Sequence, residues 1–296
     1  MTNASSKALS TVLTDLWRAL RRERSFQIMF LFLILSLVCW QIPIVNILLY
    51  PFRLFVTIVH EASHALMTIL TGGQVASLTI AMDESGLTRS LGGFRPLVIM
   101  AGYLGSSIFG GLLIYFGRTP RNAKFVLFVI GAVIIALSIF YSIGNLIFNF
   151  FGGAFSLFAM LAIGTALIFI ARKANDEFCH LFLLVLAVQT SLNALVDIQT
   201  LFFISMGSQT SSDAQSMAAI TFIPAIVWSL LWGALSIIIL VFFLWLSYRN
   251  IDSAPVTTVK NLSGQDISTK QISNKSVEDD LESLKASLKN KEKQDN

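Results

Sequence analysis

Residues 59–66 read Val59-His60-Glu61-Ala62-Ser63-His64-Ala65-Leu66. This segment has the form His-Glu-x-x-His, in which three residues separate two histidines. On an α-helix, positions i and i+4 lie on the same face, so both imidazoles can bind one zinc ion. Zinc lowers the pKa of a bound water to about 7. Glu61 lies beside the histidines and is therefore the expected general base that activates the zinc-bound water.

The motif lies in a strongly apolar chain. Of its 296 residues, 55% are hydrophobic and only 13% are charged. A soluble globular domain carries about 25% charged residues, so this composition indicates a multi-pass integral membrane protein. The net charge of +4 comes from basic residues beside apolar runs and not from a basic stripe. We therefore expect the lipid bilayer as a partner and no nucleic acid.

Long apolar runs predict an all-α polytopic transmembrane fold. A helix needs about 20 apolar residues to cross the hydrocarbon core. Seven runs approach that length: 26–44, 51–70, 96–117, 125–147, 150–171, 178–198 and 219–247. Arginines before the first run favour a cytoplasmic N-terminus, yet seven crossings would place Arg118, Arg121 and Lys124 outside. We therefore expect about six or seven membrane-spanning helices.

Three regions follow from the distribution of polar residues. Residues 1–25 are a basic amphipathic segment, whose apolar residues share one helical face before an arginine cluster. Residues 26–248 contain the apolar runs and the zinc motif and are expected to form one transmembrane domain, the metallopeptidase domain if the motif is catalytic. Residues 249–296 are rich in Ser, Lys, Asp and Asn, which indicates a largely disordered tail.

A β-hairpin is expected over residues 75–91, directly after the helix that carries the motif. Leu78, Ile80 and Met82 alternate with small or polar residues, and a turn at 83–86 precedes a return strand. A free edge of this hairpin, with donors at Thr79 or Ile80, would accept an extended substrate strand through main-chain hydrogen bonds. The alternative is a connector that only caps the motif helix.

A catalytic zinc site needs a third protein ligand besides His60 and His64. His180 follows charged residues at the mouth of its span, whereas Asp197 lies deeper in the same run as a lone acid in an apolar setting. Asp197 is therefore the expected third ligand. Asp213, which lies among loop-like neighbours, is the rival.

The chain resembles the site-2 protease family of intramembrane zinc metallopeptidases, in its compact bacterial branch. The resemblance covers about residues 40–245 and rests on four stretches: His60–His64, residues 70–75 with 85–88, residues 96–105, and residues 223–228.

The resemblance implies a bacterial cell-membrane enzyme that binds one zinc ion per chain and hydrolyses peptide bonds of transmembrane protein substrates. Better-known members place the third ligand in a Leu-Asp-Gly motif, whereas Val196 and Ile198 flank Asp197 here. Two other classes stay open. One is a catalytically inactive membrane binding or chaperone protein that retains the fold. The other is a transporter, although no paired half-helices or internal repeat support it.

Overall fold

The computed structural model describes residues 10–17, 19–20, 23–39, 42, 47–117, 119–143, 145–148, 150–207, 212–249, 258–260 and 266–268. Side chains are not described for residues 121, 147–148, 193–207, 258–260 and 266–268. The chain divides into a larger unit, Met1–Arg249, and a smaller unit, Asn250–Asn296.

The larger unit is mostly helical. Its principal helices are α1 (Arg24–Cys39), α2 (Tyr50–Leu70), α3 (Arg95–Phe116), α4 (Ala123–Leu137), α5 (Phe150–Lys173), α6 (Asp176–Gly207), α7 (Asp213–Thr221) and α8 (Ala225–Tyr248). Two antiparallel strands, β1 (Gln74–Ile80) and β2 (Gly86–Leu91), lie between α2 and α3. The helical fold and the hairpin after the motif helix are therefore confirmed.

Within the described ranges, four helical segments are long and apolar enough to cross a membrane: Arg95–Phe116, Ala123–Ser142, Phe150–Lys173 and Ala225–Tyr248. The second of these joins α4 to a π-helical turn, Ser138–Ser142. The expected number of six or seven spans is not confirmed. Helix α2 carries Arg53 and Glu61 besides its two histidines, and such residues lower the hydropathy of a segment.

Two of the expected runs have different boundaries in the structure. The run at 178–198 belongs to a longer helix, because α6 extends to Gly207. The run at 219–247 divides into α7 and α8. Phe222 adopts a left-handed conformation (φ +60°) as it ends α7, and Pro224 precedes α8. A residue before proline avoids the helical region, so a continuous helix is excluded there.

The N-terminal segment is helical at residues 10–17 and 19–20. In the smaller unit, strands β3 (Thr258–Lys260) and β4 (Asp266–Ser268) pair antiparallel. The rest of the expected tail lies outside the described residues.

The hairpin lies along α2 and is fixed to its first turns. Arg53 donates through Nε and Nη2 to the two carboxylate oxygens of Glu84, each at 2.7 Å. The Thr57 hydroxyl donates to the Glu84 carbonyl at 2.8 Å, and the Tyr50 hydroxyl donates to the Met82 carbonyl at 2.9 Å. A bidentate ion pair of this kind fixes orientation as well as distance. The turn of the hairpin is therefore held at a defined level along α2.

Helices α4 and α5 pack closely because two glycines face each other. A Cβ atom at Gly131 would lie 2.6 Å from the Gly164 carbonyl oxygen, and one at Gly164 would lie 2.8 Å from the Gly131 carbonyl oxygen. Small residues allow membrane helices to approach at the backbone, where van der Waals packing stabilises their association.

We predict that Gly164→Leu lowers the free energy of unfolding of the detergent-solubilised protein by about 1–3 kcal/mol, the usual cost of overpacking. The loss is measured as a lower melting temperature. The side chain has no space beside Gly131, so the helices must separate. The exposed Ala166 on the same helix provides the control. An equal loss of melting temperature in Ala166→Leu would contradict this packing.

Candidate active site

Helix α2 brings His60 and His64 together because it continues without a break through the motif. Their Nε2 atoms are 3.0 Å apart. His64 and Glu61 are buried, with 8% and 5% of their surface exposed. The helical spacing that the sequence predicts is therefore realised, and it directs both imidazoles to the same point.

Asp213 completes this group. Its Oδ2 atom lies 3.2 Å from Nε2 of His60 and 3.2 Å from Nε2 of His64. Among the described residues, these three side chains form the group of His, Cys, Asp and Glu residues that is compact enough to hold one metal ion. Asp213, the rival of Asp197 as the third ligand, thus lies at the motif.

The first turn of α7 positions Asp213. Ser212 is the N-cap, and its hydroxyl accepts from the Gln215 amide N–H at 3.3 Å, while the Gln215 side chain accepts from the Ser212 amide N–H. This capping box satisfies two amide groups that a helix start otherwise leaves free. The loop-like reading of this segment is therefore wrong. The Ser-Asp-Ala-Gln pattern was the available signal for a helix start.

An apolar cluster holds α7 against α3 and α8. Ala214 and Met217 are fully buried and pack with Trp232. The Trp232 ring stacks on Tyr103 at a centroid distance of 5.6 Å. Tyr103 in turn contacts His60 edge to face at 4.7 Å. Packing from α3 and α8 therefore links one histidine to the helix that carries the aspartate.

A hydrogen bond fixes the orientation of His64. Its Nδ1 lies 2.7 Å from the Val98 carbonyl oxygen. Because a carbonyl only accepts, Nδ1 carries a proton, which leaves Nε2 as the nitrogen that can bind a metal. Histidines that bind metals commonly have such a partner on their other nitrogen.

The space beside the imidazoles depends on Gly102. A Cβ atom at this position would collide with Nε2 of His60 and would lie 2.5 Å from Nε2 of His64. The sequence pattern alone did not indicate Gly102 as a residue of the site. Its signal was a pair of small residues, Gly102 and Gly105, three positions apart in an apolar run, which indicates close helix packing.

The donor set fits a zinc ion. Zinc bonds of about 2.0–2.2 Å to nitrogen and oxygen in tetrahedral geometry place the ligand atoms about 3.3–3.6 Å from one another. The separations here are 3.0 to 3.2 Å. Two imidazoles and one carboxylate also leave the fourth position of a catalytic site to solvent or substrate. The carboxylates of Asp213 and Glu61 together balance the charge of a divalent cation.

Strand β2 passes directly over Glu61. A Cβ atom at Gly86 would lie 2.5 Å from Glu61 Oε1, so a side chain there would displace the carboxylate. The Thr88 hydroxyl donates to the Glu61 carbonyl at 3.0 Å. A cavity of about 640 Å³ opens along β2 and is bordered by Glu61, His64 and the start of α3. Its volume is typical of ligand-binding pockets.

The other residues considered from sequence lie elsewhere or outside the description. His180 is buried, and its Nε2 donates to the Gly117 carbonyl at 2.7 Å, so it caps the end of α3. Asp197 belongs to α6, but its side chain lies outside the described residues. The expectation that Asp197 is a metal ligand is therefore not tested by the structure, and Asp213 is the aspartate that lies at the two histidines.

Comparison with known proteins identifies the family. Neither the curated proteins nor the solved structures contain a match to this chain. The profile of the Peptidase M50B-like family matches residues 28–243, which include α2, the hairpin, α3 and α7. This family is generally zinc-dependent and contains peptidases that are embedded in membranes. The chain is thus a member of the Peptidase M50B-like family, within the site-2 protease family.

Proposed function

We propose that this protein is an intramembrane zinc endopeptidase that cleaves membrane protein substrates. The observation that carries the proposal is the triangle formed by Nε2 of His60, Nε2 of His64 and Oδ2 of Asp213, with sides of 3.0 to 3.2 Å. Glu61 lies next to His60 on the same helix and borders the cavity. Its position supports the role of proton carrier.

In the proposed mechanism, His60, His64 and Asp213 hold one zinc ion. When bound, zinc acidifies a water molecule and polarises the scissile carbonyl. Glu61 accepts the proton from the attacking water at a carboxylate oxygen and then delivers it to the departing amide nitrogen. The low exposure of Glu61, 5%, keeps bulk water away from that proton.

A helical peptide bond is shielded by its own hydrogen bonds, so the substrate must be extended at the point of cleavage. The hairpin offers an edge for such a strand, but not the edge that Thr79 and Ile80 suggested. The Ile80 amide donates to the Ser156 hydroxyl at 2.9 Å, and the Leu78 carbonyl accepts from the Ser142 hydroxyl at 2.9 Å. Helix α5 and the π-helical turn therefore close the outer edge of β1.

The outer edge of β2 faces the cavity. The Ala81 amide donates to the Ser85 carbonyl at 2.8 Å, which makes these residues a hydrogen-bonded pair of the ladder. Bonded and non-bonded pairs alternate in an antiparallel ladder. The main-chain groups of Gly86, Thr88 and Ser90 therefore point away from β1. We propose that the substrate adds as a strand at this edge, beside Glu61.

The identity of the third zinc ligand is tested by two variants. We expect Asp213→Ala to lose zinc, measured by metal analysis of the purified protein, because removal of a ligand opens the site. We expect Asp197→Ala to keep about one zinc per chain. Loss of zinc only in Asp197→Ala would show that Asp197 is the ligand, and absence of zinc from the wild type would favour the inactive binding protein.

We predict that Glu61→Gln keeps its zinc but cleaves a model transmembrane substrate about 10²–10⁴-fold more slowly, since loss of a general base has this effect. The amide keeps the size of the side chain and removes its ability to accept the proton. Cleavage at the wild-type rate by the zinc-loaded variant would contradict the role of Glu61.

We predict that Ser90→Pro slows substrate cleavage at least about tenfold, because proline removes an outward amide donor from the β2 edge. Ser90→Ala keeps that donor and is the matched control, with a rate close to wild type. Zinc content and melting temperature verify that both variants fold. A folded, zinc-loaded Ser90→Pro protein with undiminished cleavage would exclude strand addition at this position.

A further inference from the structure

The cavity along β2 is lined on two sides. One side consists of β2 itself with Gly92 and Gly93 after it. The other side consists of Arg95, Val98 and Ile99 of α3 and Ser216 of α7. Glu61 and His64 border the space between these walls. A strand that pairs with β2 would therefore also pass the first turn of α3.

Two arginines contribute to this lining. Arg89 belongs to β2 and Arg95 is the first residue of α3, and both are exposed. Neither forms an ion pair or a side-chain hydrogen bond with another residue in the described part of the chain. Arg53, which holds the turn of the hairpin against α2, differs from them because it is paired with Glu84. The guanidinium groups of Arg89 and Arg95 are therefore available to a ligand.

Both arginines lie close to the catalytic groups along the chain. Arg89 follows Thr88, whose hydroxyl donates to the Glu61 carbonyl. Arg95 lies three residues before Val98, whose carbonyl accepts from His64. One strand residue spans about 3.3 Å, and three helical residues span about 4.5 Å. Successive strand residues point to opposite faces, so Arg89 lies on the face of β2 opposite Thr88. Arg89 would therefore meet a strand added at β2 from that face, and Arg95 would meet it from the first turn of α3.

The charge balance of the site favours an acidic partner. Glu61 borders the cavity and Asp213 belongs to the ligand triangle, so both carboxylates have roles in the proposed reaction. The two arginines then leave an uncompensated positive charge at the wall. Arginine binds carboxylates through two parallel hydrogen bonds, which are stronger than neutral ones.

We propose, on the basis of the proposed peptidase function, that this protein selects membrane protein segments that carry an Asp or Glu within about three residues of the scissile bond. Arg89 and Arg95 bind that carboxylate and act as specificity-determining residues. The free β2 edge holds the substrate backbone irrespective of its sequence, while the arginines distinguish one segment from another.

The test uses a model substrate with one transmembrane segment and an extended juxtamembrane region. Glu, Gln or Lys is placed at each of the three positions on either side of the scissile bond, which mass spectrometry of the products locates. The kcat/KM values are measured in vesicles of zwitterionic lipid for the wild type, Arg89→Gln, Arg95→Gln and the double variant. Arg172→Gln is the matched control, because Arg172 lies over Phe128 and does not line the cavity.

We expect the wild type to cleave the best Glu substrate about tenfold faster than its Gln counterpart, and the Lys substrate more slowly still. The ratio of Glu to Gln rates should fall in each single variant and approach one in the double variant, but stay unchanged in Arg172→Gln. The Arg95→Glu variant should shift the preference towards the Lys substrate. A charge reversal of this kind is not expected from a merely structural role.

Equal wild-type rates for the Glu and Gln substrates at every position would overturn the proposal. An equal loss on all substrates in the double variant would also overturn it, because the arginines would then not distinguish an acidic segment from a neutral one. Binding of the same substrates to zinc-loaded Glu61→Gln protein measures the preference without cleavage. Failure of the hydrolysis proposal is therefore distinguishable from failure of the acid preference.

Discussion

Three side-chain atoms that can bind one metal ion converge from two helices far apart in the sequence, and the arrangement of this protein depends on that convergence. His60 and His64 come from α2, and Asp213 comes from a helix about 150 residues later; the separations between their ligand atoms are 3.0 to 3.2 Å. A zinc site loses its ligands if they are displaced by a fraction of an ångström, because its bonds are short and tetrahedral. The helices around α2 must therefore pack with little freedom.

Two kinds of packing supply this precision. Where Gly102 meets the imidazoles, the absence of a side chain brings α3 close enough for the Val98 carbonyl to orient His64. Where α7 meets α3 and α8, large side chains fix the position of the helices. Trp232 and Met217 are fully buried there in one cluster. Helices in a bilayer associate through close van der Waals contact and not through a hydrophobic driving force. Small and large residues are therefore both needed at defined positions.

In the proposed function, the hairpin is the element that connects this rigid site to the substrate. Its β1 strand is bound to α5 and the π-helical turn by hydrogen bonds with the Ser156 and Ser142 hydroxyls, and its turn is bound to α2 through the Arg53–Glu84 pair. Only the β2 edge, of the two strand edges, faces the cavity beside Glu61. Backbone groups in an apolar environment must be paired, so an edge left open beside Glu61 is consistent with the proposed addition of a strand.

The zinc motif, the hairpin and the helical membrane fold were predictable from the sequence. The His-Glu-x-x-His spacing is local, and helical geometry alone directs both imidazoles to one side. The alternation around Leu78 and Ile80 predicted the hairpin for the same reason. Apolar composition indicated a helical membrane protein, although polar residues in α2 make the number of spans hard to read from hydropathy.

Three features became visible only in the tertiary structure. Asp213 lies at the motif, the β2 edge and not the β1 edge is free, and Gly102 leaves space for the imidazoles. Each of these depends on contacts between segments far apart in the chain, and such contacts have no periodicity that a sequence pattern can reveal. Burial depth along a single run favoured Asp197, because depth is readable from one helix. The position of α7 depends on the packing of Ala214 and Met217 against Trp232 of α8. This contact joins two helices, so the pattern of either helix alone does not predict it.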